Sequence, residues 1–277
     1  MIEQTKKKYK KPELVSPAGS LDKLKTAIEY GADAVYAGGK DFNLRNSAAN
    51  FSLDEIGSAV EYVHKRGRKL YITLNIFAHN CHISRIEKYL KELAEYPVDA
   101  VIVADPGALA LVREIMHETP CHISTQANCT NTRAADFWYK QGVKRVVLAR
   151  ELSLNEISEI SSNSDCKTEV FVHGALCVAI SGKCYMSLAT YNSSANRGAC
   201  LQNCRRSYKV IDEETGQELV LDNKYVMSPK DLCTIGFVDK LIEAGVSVFK
   251  IEEKNMIITG IVEIISTPLI TWVKFNE

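Results

Sequence analysis

Two hydrophobic rhythms alternate along the chain. Short runs rich in Val, Ile and Leu recur at 13–16, 34–37, 70–74, 100–103, 122–124, 145–148, 169–172 and 248–251. They lack strict in-out alternation, as strands buried on both faces of a parallel sheet do. Between them apolar residues fall three and four positions apart, the period of a helix with one buried face. Leu21, Leu24, Ala27 and Ile28 make one such stripe, with Ser20 placed to cap its start and Gly31 beyond its end. Leu53, Ile56, Val60 and Val63 make a second, capped by Ser52 and followed by Gly67; Ile83, Ile86, Leu90 and Leu93 make a third. Further stripes run through Leu109 and Met116, Ala134 and Trp138, Leu154 and Ile160, and Val238 and Ile242.

Eight strand segments alternating with helices predict an α/β fold, a (β/α)8 TIM-barrel-like domain. An open doubly wound sheet is the rival, weakened because no G-x-G-x-x-G follows the first strand. One connection breaks the rhythm. Residues 174–246 separate the seventh and eighth strands and hold a cysteine cluster and a predicted hairpin, Tyr208–Ile211 against Glu218–Leu221 across a turn at Glu213–Gly216. Insertions after a barrel strand lie over the C-terminal face, where barrel active sites form.

The chain thus divides into a basic disordered tail (1–11), a barrel domain (12–252) that includes the Cys-rich insertion (174–246), and a divergent or frameshifted tail (253–277). That last stretch is rich in β-branched residues and contains Pro268, a poor recipe for the closing helix of a barrel. It reads as a truncated ending that strips the outer cover from Val15 and Val248. A protein partner or paralogue covering the C-terminal face is then expected.

Composition narrows the class. Among 277 residues, 46% are hydrophobic and 25% charged, with 34 basic against 34 acidic side chains. This is a globular chain, not a disordered, collagen-like or strongly basic one. It has no long apolar run and no secretory h-region, so a cytoplasmic location with no membrane association is expected. Zero net charge gives RNA binding little support beyond two local basic groups, Lys6–Lys11 and Arg197 with Arg205 and Arg206.

Nine cysteines in a reducing compartment point to metal binding or catalysis rather than disulfides. Cys81, Cys121, Cys129 and Cys166 are scattered, whereas Cys177, Cys184, Cys200, Cys204 and Cys233 fall within 57 residues, with 6, 15, 3 and 28 residues between them. Four thiolates complete a zinc site or an iron–sulfur cluster. The absence of C-x-x-C knuckles favours a cluster gathered from separate loops.

Polar residues at the predicted strand ends complete the candidate site: Asn75, Asp105, Gln126, Arg150, His173 and Glu252. Arg150 offers a planar fork for a carboxylate, or pairs with Glu151 at the rim. His173 precedes Cys177 by four positions and is a conceivable base for it, although H-E-x-x-H and G-x-S-x-G are absent. Glu169, at the start of its strand, is expected to orient backbone.

Several of these segments together resemble a known family. Glu169-Val-Phe-Val-His-Gly-Ala-Leu-Cys177 followed by Ser181-Gly-Lys-Cys-Tyr-Met-Ser187 meets the signature of the collagenase-like peptidase family U32. Glu13–Gly19, Gly31–Tyr36, Phe42–Arg45, Ser124–Asn128, Val147–Ser153 and Asn196–Cys200 are similar to it as well. The resemblance implies a name derived from collagen degradation and relatives that hydroxylate the tRNA wobble uridine, ribosomal RNA or ubiquinone precursors without oxygen. It implies a 4Fe–4S cluster on Cys177, Cys184, Cys200 and Cys233, with Cys204 able to stand in for Cys200. It further implies prephenate as co-substrate, which Arg150 would grip, while His173, Gln126 and Asn75 are catalytic candidates from their strand-end positions. Three readings compete: RNA hydroxylation, a collagenase-like peptidase, and an inactive truncated fragment that needs a partner.

Overall fold

A computed structural model describes residues 10–44, 50–219, 227 and 231–252. The strands are β1 (Glu13–Pro17), β2 (Ala34–Gly38), β3 (Lys69–Leu74), β4 (Ala100–Val103), β5 (Cys121–Ile123), β6 (Arg145–Val147) and β7 (Lys167–Gly174). The short pieces β8 (Val210–Ile211), β9 (Glu218–Leu219) and β10 (Leu232–Cys233) precede β11 (Val248–Ile251). Strands β1 to β7 pair in parallel in chain order, and β11 joins β7 back to β1, with Val248 opposite both Glu169 and Glu13. The result is a closed eight-stranded parallel barrel, not the open rival sheet.

The helices are α1 (Leu21–Glu29), α2 (Leu53–His64), α3 (Asn80–Leu93), α4 (Pro106–Ile115), α5 (Thr132–Lys140), α6 (Leu154–Asn163), α7 (Met186–Tyr191) and α8 (Val238–Glu243). Their starts follow local capping chemistry. The Ser20 hydroxyl accepts from the Lys23 amide, and Ser52 with Glu55 and Ser153 with Glu156 form reciprocal capping boxes. Asp105, expected at the site, instead caps α4 by accepting from the Ala108 amide at 3.0 Å. Helix α7 was not foreseen; six residues are too few to show a helical period.

Two apolar layers follow from the period of two along each strand. Leu14, Val35, Leu70, Val101, Val146 and Phe249 face outward and bury against Leu24, Ile56, Leu90 and Val112 of the helices, each such side chain contributing roughly 1.5–3 kcal/mol. Val15, Ala34, Tyr71, Ala100, Ile102 and Val248 form a separate inner cluster. This corrects the expected role of Val15 and Val248: they point into the barrel, where no helix would cover them, and their neighbours Leu14 and Phe249 occupy the outer face. The tails 1–9 and 253–277 lie outside the described residues.

Charges fill the N-terminal half of the interior. Lys250 Nζ lies 2.7 Å and Arg145 Nη1 3.1 Å from the Glu169 carboxylate. Arg145 Nη2 reaches Glu13 at 2.9 Å, and the Tyr71 hydroxyl donates to Glu13 at 2.6 Å. Burial pushes the Glu169 carboxyl up, but Lys250 and Arg145 outweigh it and hold the group below its usual range. Burial, reinforced by Arg145 and Lys250, keeps the His122 ring neutral, its pKa well below the ordinary value. Glu169 is therefore the hub of an ion network, not the backbone-orienting residue its place in the strand suggested.

The insertion leaves β7 and returns to it. The predicted hairpin forms, with Val210 paired to Leu219. Strand β10 pairs antiparallel to the end of β7, setting Cys233 opposite His173, and α8 then leads into β11.

Candidate functional site at the barrel mouth

The C-terminal mouth holds a cavity of about 110 Å3. Tyr36 and Phe171 give it aromatic walls, and Asn43, Asn50, Asn75 and Gln126 bring carboxamides. Thr73, Ser124 and Thr125 add hydroxyls, and Arg150, Lys250 and Glu252 add charge. Asn75 sits just past β3, where its Oδ1 accepts from the Leu44 amide at 3.1 Å and its Nδ2 lies 3.5 Å from Ser124 Oγ. Gln126 is buried on a tight turn after β5, its amide donating to Ser124 Oγ at 3.3 Å.

Arg150 follows β6 and is the most constrained cation of the rim. Its Nη2 lies 2.7 Å from Glu252, its Nη1 lies 3.7 Å from Cys177 Sγ, and its guanidinium sits 4.3 Å over the Phe171 ring. Its side chain is only 10% exposed. Burial opposes the charge, and the Glu252 carboxylate outweighs that cost and raises the pKa. The Nε is buried without a hydrogen-bond partner, so one donor of the fork remains to be satisfied. The expected partner Glu151 is engaged elsewhere: it accepts from the Ser181 amide and, at 3.1 Å, from the Ser181 hydroxyl.

These contacts explain two glycines of the signature. At Gly174 the backbone turns with φ +111°, and a Cβ would lie 2.5 Å from the Glu252 carbonyl oxygen. At Gly182, with φ +74°, a Cβ would collide with the Gln126 carbonyl. Only glycine accepts both the left-handed backbone and the close approach. The insertion also reaches the end of β3, where the Phe77 amide donates to the Asn196 carbonyl at 2.9 Å. It therefore crosses the mouth from β7 by way of β5 and β6 to β3.

Of the expected site residues, Asn75, Gln126 and Arg150 line the cavity. His173 does not; it lies between β10 and β11, burial lowers its pKa, and it makes no hydrogen bond to Cys177. Sequence reasoning missed Lys250, Tyr36, Asn43 and Phe171. A lysine inside the apolar run Val248-Phe249-Lys250-Ile251 was the available signal for the first. Arg45 of the Phe42–Arg45 segment lies outside the described residues.

Eight of the nine cysteines separate into two populations, and Cys81 is exposed on α3 apart from both. Cys121, Cys129 and Cys166 are buried in the barrel wall, where burial pushes their thiols up to about 11, about 11 and about 12. Cys177 and Cys233 are exposed, and Cys184, Cys200 and Cys204 half-buried, all within the insertion. Among the described residues no three His, Cys, Asp or Glu side chains converge on a common point. The expected ligand set is thus on one element, but it is not gathered. Its donor chemistry suits a soft metal or an iron–sulfur cluster.

A second, apolar cavity of about 290 Å3 lies between α6, α8 and the strands, lined by Leu154, Ile157 and Leu241 and sharing Arg150 and Phe171 with the first. Among the described residues no helix is long and apolar enough to cross a membrane.

A closed parallel barrel with a polar cavity at its C-terminal mouth, roofed by a Cys-rich insertion, places the protein among the TIM-barrel-like α/β proteins. Within that class the chain belongs to Peptidase family U32, whose profile matches residues 19–265. It is 42% identical to the tRNA hydroxylation protein P1 of Bacillus subtilis (strain 168), over 93% of this chain and 62% of that one. It is also 42% identical to a collagenase of Porphyromonas gingivalis (strain ATCC BAA-308 / W83), over 87% of this chain and 60% of that one. The chain thus spans less than two thirds of these relatives. The structure of the U32 peptidase Mk0906 superposes with a TM-score of 0.58 at 15% identity, over 88% of this chain and 94% of that one, which confirms the fold.

Proposed function

We propose that this chain is the barrel of an iron–sulfur-dependent, oxygen-independent RNA hydroxylation enzyme, with the tRNA wobble uridine as target and prephenate as co-substrate. The observation that carries this reading is the lining of the mouth cavity. Carboxamides at Asn43, Asn75 and Gln126 share this lining with the aromatic rings Tyr36 and Phe171, and hydrogen-bonding carboxamides beside aromatic side chains are the kind of groups that read an extruded base. Similarity to a protein named for tRNA hydroxylation supports the same substrate class.

In this reading Asn75 and Gln126 orient the base by its polar edge, and the roof formed by Ser181 and Gly182 limits water. Arg150, fixed by Glu252 and stacked on Phe171, presents its unsatisfied Nε to the carboxylate of the co-substrate. Cys177, Cys184, Cys200 and Cys233 would hold the cluster, with Cys204 as the alternative to Cys200. The cluster supplies one-electron chemistry when bound.

The peptidase reading rests on the similarity to a protein named collagenase. It needs a thiolate with a base, and the group beside Cys177 is the Arg150 guanidinium rather than an imidazole. Nucleoside mass spectrometry of tRNA and rRNA from a deletion strain separates the two. Loss of 5-hydroxyuridine derivatives, restored by the wild-type gene and not by Arg150→Ala, is the expected result. Unchanged RNA together with lost gelatin cleavage would establish the peptidase instead. Anaerobically purified protein is expected to carry one 4Fe–4S cluster, and colourless protein with stoichiometric zinc would reject that part.

A further inference from the structure

We propose that the outer face of the Cys-rich insertion is the docking surface for a single-stranded stretch of RNA. Tyr185 and Tyr191 serve as stacking platforms, and Lys183, Arg197 and Arg206 as phosphate contacts. The proposal rests on the RNA reading of the mouth and adds where the strand lies outside it.

Charge is the first argument. The chain as a whole is balanced, 34 basic against 34 acidic residues, yet residues 175–209 contain Lys183, Arg197, Arg205, Arg206 and Lys209 and no Asp or Glu. Two of these are spent on structure: Arg205 pairs with Asp231 at 2.9 Å and Lys209 with Glu218 at 3.1 Å. Lys183, Arg197 and Arg206 are exposed and face no carboxylate among the described residues. Cations that pair with no carboxylate, gathered on one element, are the electrostatic footprint of a polyanion site.

The aromatic groups supply the second argument. Among the described residues, every exposed large hydrophobic side chain except Tyr30, Phe137 and Tyr139 lies between Val178 and Phe237. Tyr185 is 68% and Tyr191 51% exposed, and they sit at opposite ends of α7, about 9 Å apart along its axis. The Arg206 guanidinium lies 5.0 Å from the Tyr191 ring centroid and donates to its hydroxyl, so one platform is already an arginine–aromatic pair. Ser187 Oγ accepts from the Leu201 amide at 3.1 Å and ties α7 to the following loop. Tyrosines interleaved with cations in a segment without carboxylates match sequence-tolerant single-strand binding. The core of a protein interface is instead depleted of charge.

Location supplies the third. The same insertion packs on Gln126 and Glu151 through Gly182 and Ser181, so a strand lying on α7 is held beside the cavity that would receive its extruded base.

The test is fluorescence anisotropy of the full chain with a labelled oligouridylate of about 12 nucleotides, titrated at several salt concentrations. Tyr185→Ala with Tyr191→Ala is expected to weaken binding roughly tenfold or more, while Tyr185→Phe keeps wild-type affinity because its ring remains. The triple variant Lys183→Gln, Arg197→Gln, Arg206→Gln is expected to lower the slope of log Kd against log salt by about 2. Unchanged thermal melting shows that the variants fold. If wild type binds and both the Ala pair and the triple variant bind with the same Kd and slope, the docking face lies elsewhere while the RNA reading stands. If wild type binds neither oligouridylate nor tRNA, both fail. If the Ala pair dissociates a self-assembled form in the ultracentrifuge at unchanged RNA affinity, the face is a protein contact and the proposal is overturned.

Discussion

The two ends of the barrel handle polar groups in opposite ways. Toward the N-terminal end Glu13, Arg145 and Glu169 are drawn out of water and joined by Lys250, which reaches Glu169 from the mouth cavity, at distances of 2.7–3.1 Å. At the C-terminal end the insertion leaves Tyr185, Cys177, Cys233 and several cations facing outward. The first arrangement ties strands β1, β6, β7 and β11 together around one buried carboxylate. The second leaves polar and aromatic groups of the insertion open to solvent among the described residues. Internal ion pairing and solvent-facing polar groups thus lie toward opposite ends of one cylinder, the usual division in a parallel barrel.

The largest effect is expected at the closed end. Glu169→Gln leaves Lys250 and Arg145 with one carboxylate fewer in the interior, a loss of about 3–5 kcal/mol and a fall in melting temperature of roughly 10 °C. The pH dependence has a defined sign. Because the Glu169 carboxyl is held below its ordinary value of 4.5, its contribution is complete above that pH and is lost as pH falls through the lower folded value. His122, kept neutral, adds a further loss as pH drops below its ordinary 6.5. Melting curves at a series of pH values should therefore show the lowest acid limb flattened in Glu169→Gln and the His122 limb retained. An unchanged acid limb would mean that this network does not lock the barrel.

A smaller effect, confined to the open end, is expected from Gly182→Ala. The added Cβ collides with the Gln126 carbonyl at a backbone of φ +74°, a strain of about 1–3 kcal/mol. Hydrogen exchange should rise across 175–209 while β1 to β6 stay protected. A uniform rise would show that the two ends are one cooperative unit and break the comparison.

The smallest effect is expected at a cysteine of the barrel wall. Cys129 is fully buried and its thiol is pushed up to about 11, so Cys129→Ala should cost about 0.5–2 kcal/mol. Iron content after anaerobic purification should be unchanged, whereas Cys184→Ala should lose it. Iron loss in the Cys129 variant would erase the distinction between packing and ligating thiols.

What the sequence by itself determined is local. The eight strand positions, the caps at Ser20 and Ser52, the hairpin at Val210 and Leu219 and the family signature were all legible, because periodicity, capping and turns are written within a few consecutive residues. That Asn75, Gln126 and Arg150 line the mouth cavity was legible because a parallel barrel collects its strand ends at one mouth. Pairings across the barrel were decided only by the tertiary structure. Arg150 joins Glu252 rather than its neighbour Glu151, and Lys250 joins Glu169, contacts that span 102 and 81 positions. They depend on ring closure between β7, β11 and β1, and on a register in which a slip of one residue exchanges the inner and outer faces. The misplacement of Val15 and Val248 came from that same ambiguity: in an apolar run without alternation, only the closed register decides which side chains meet the helices and which fill the barrel.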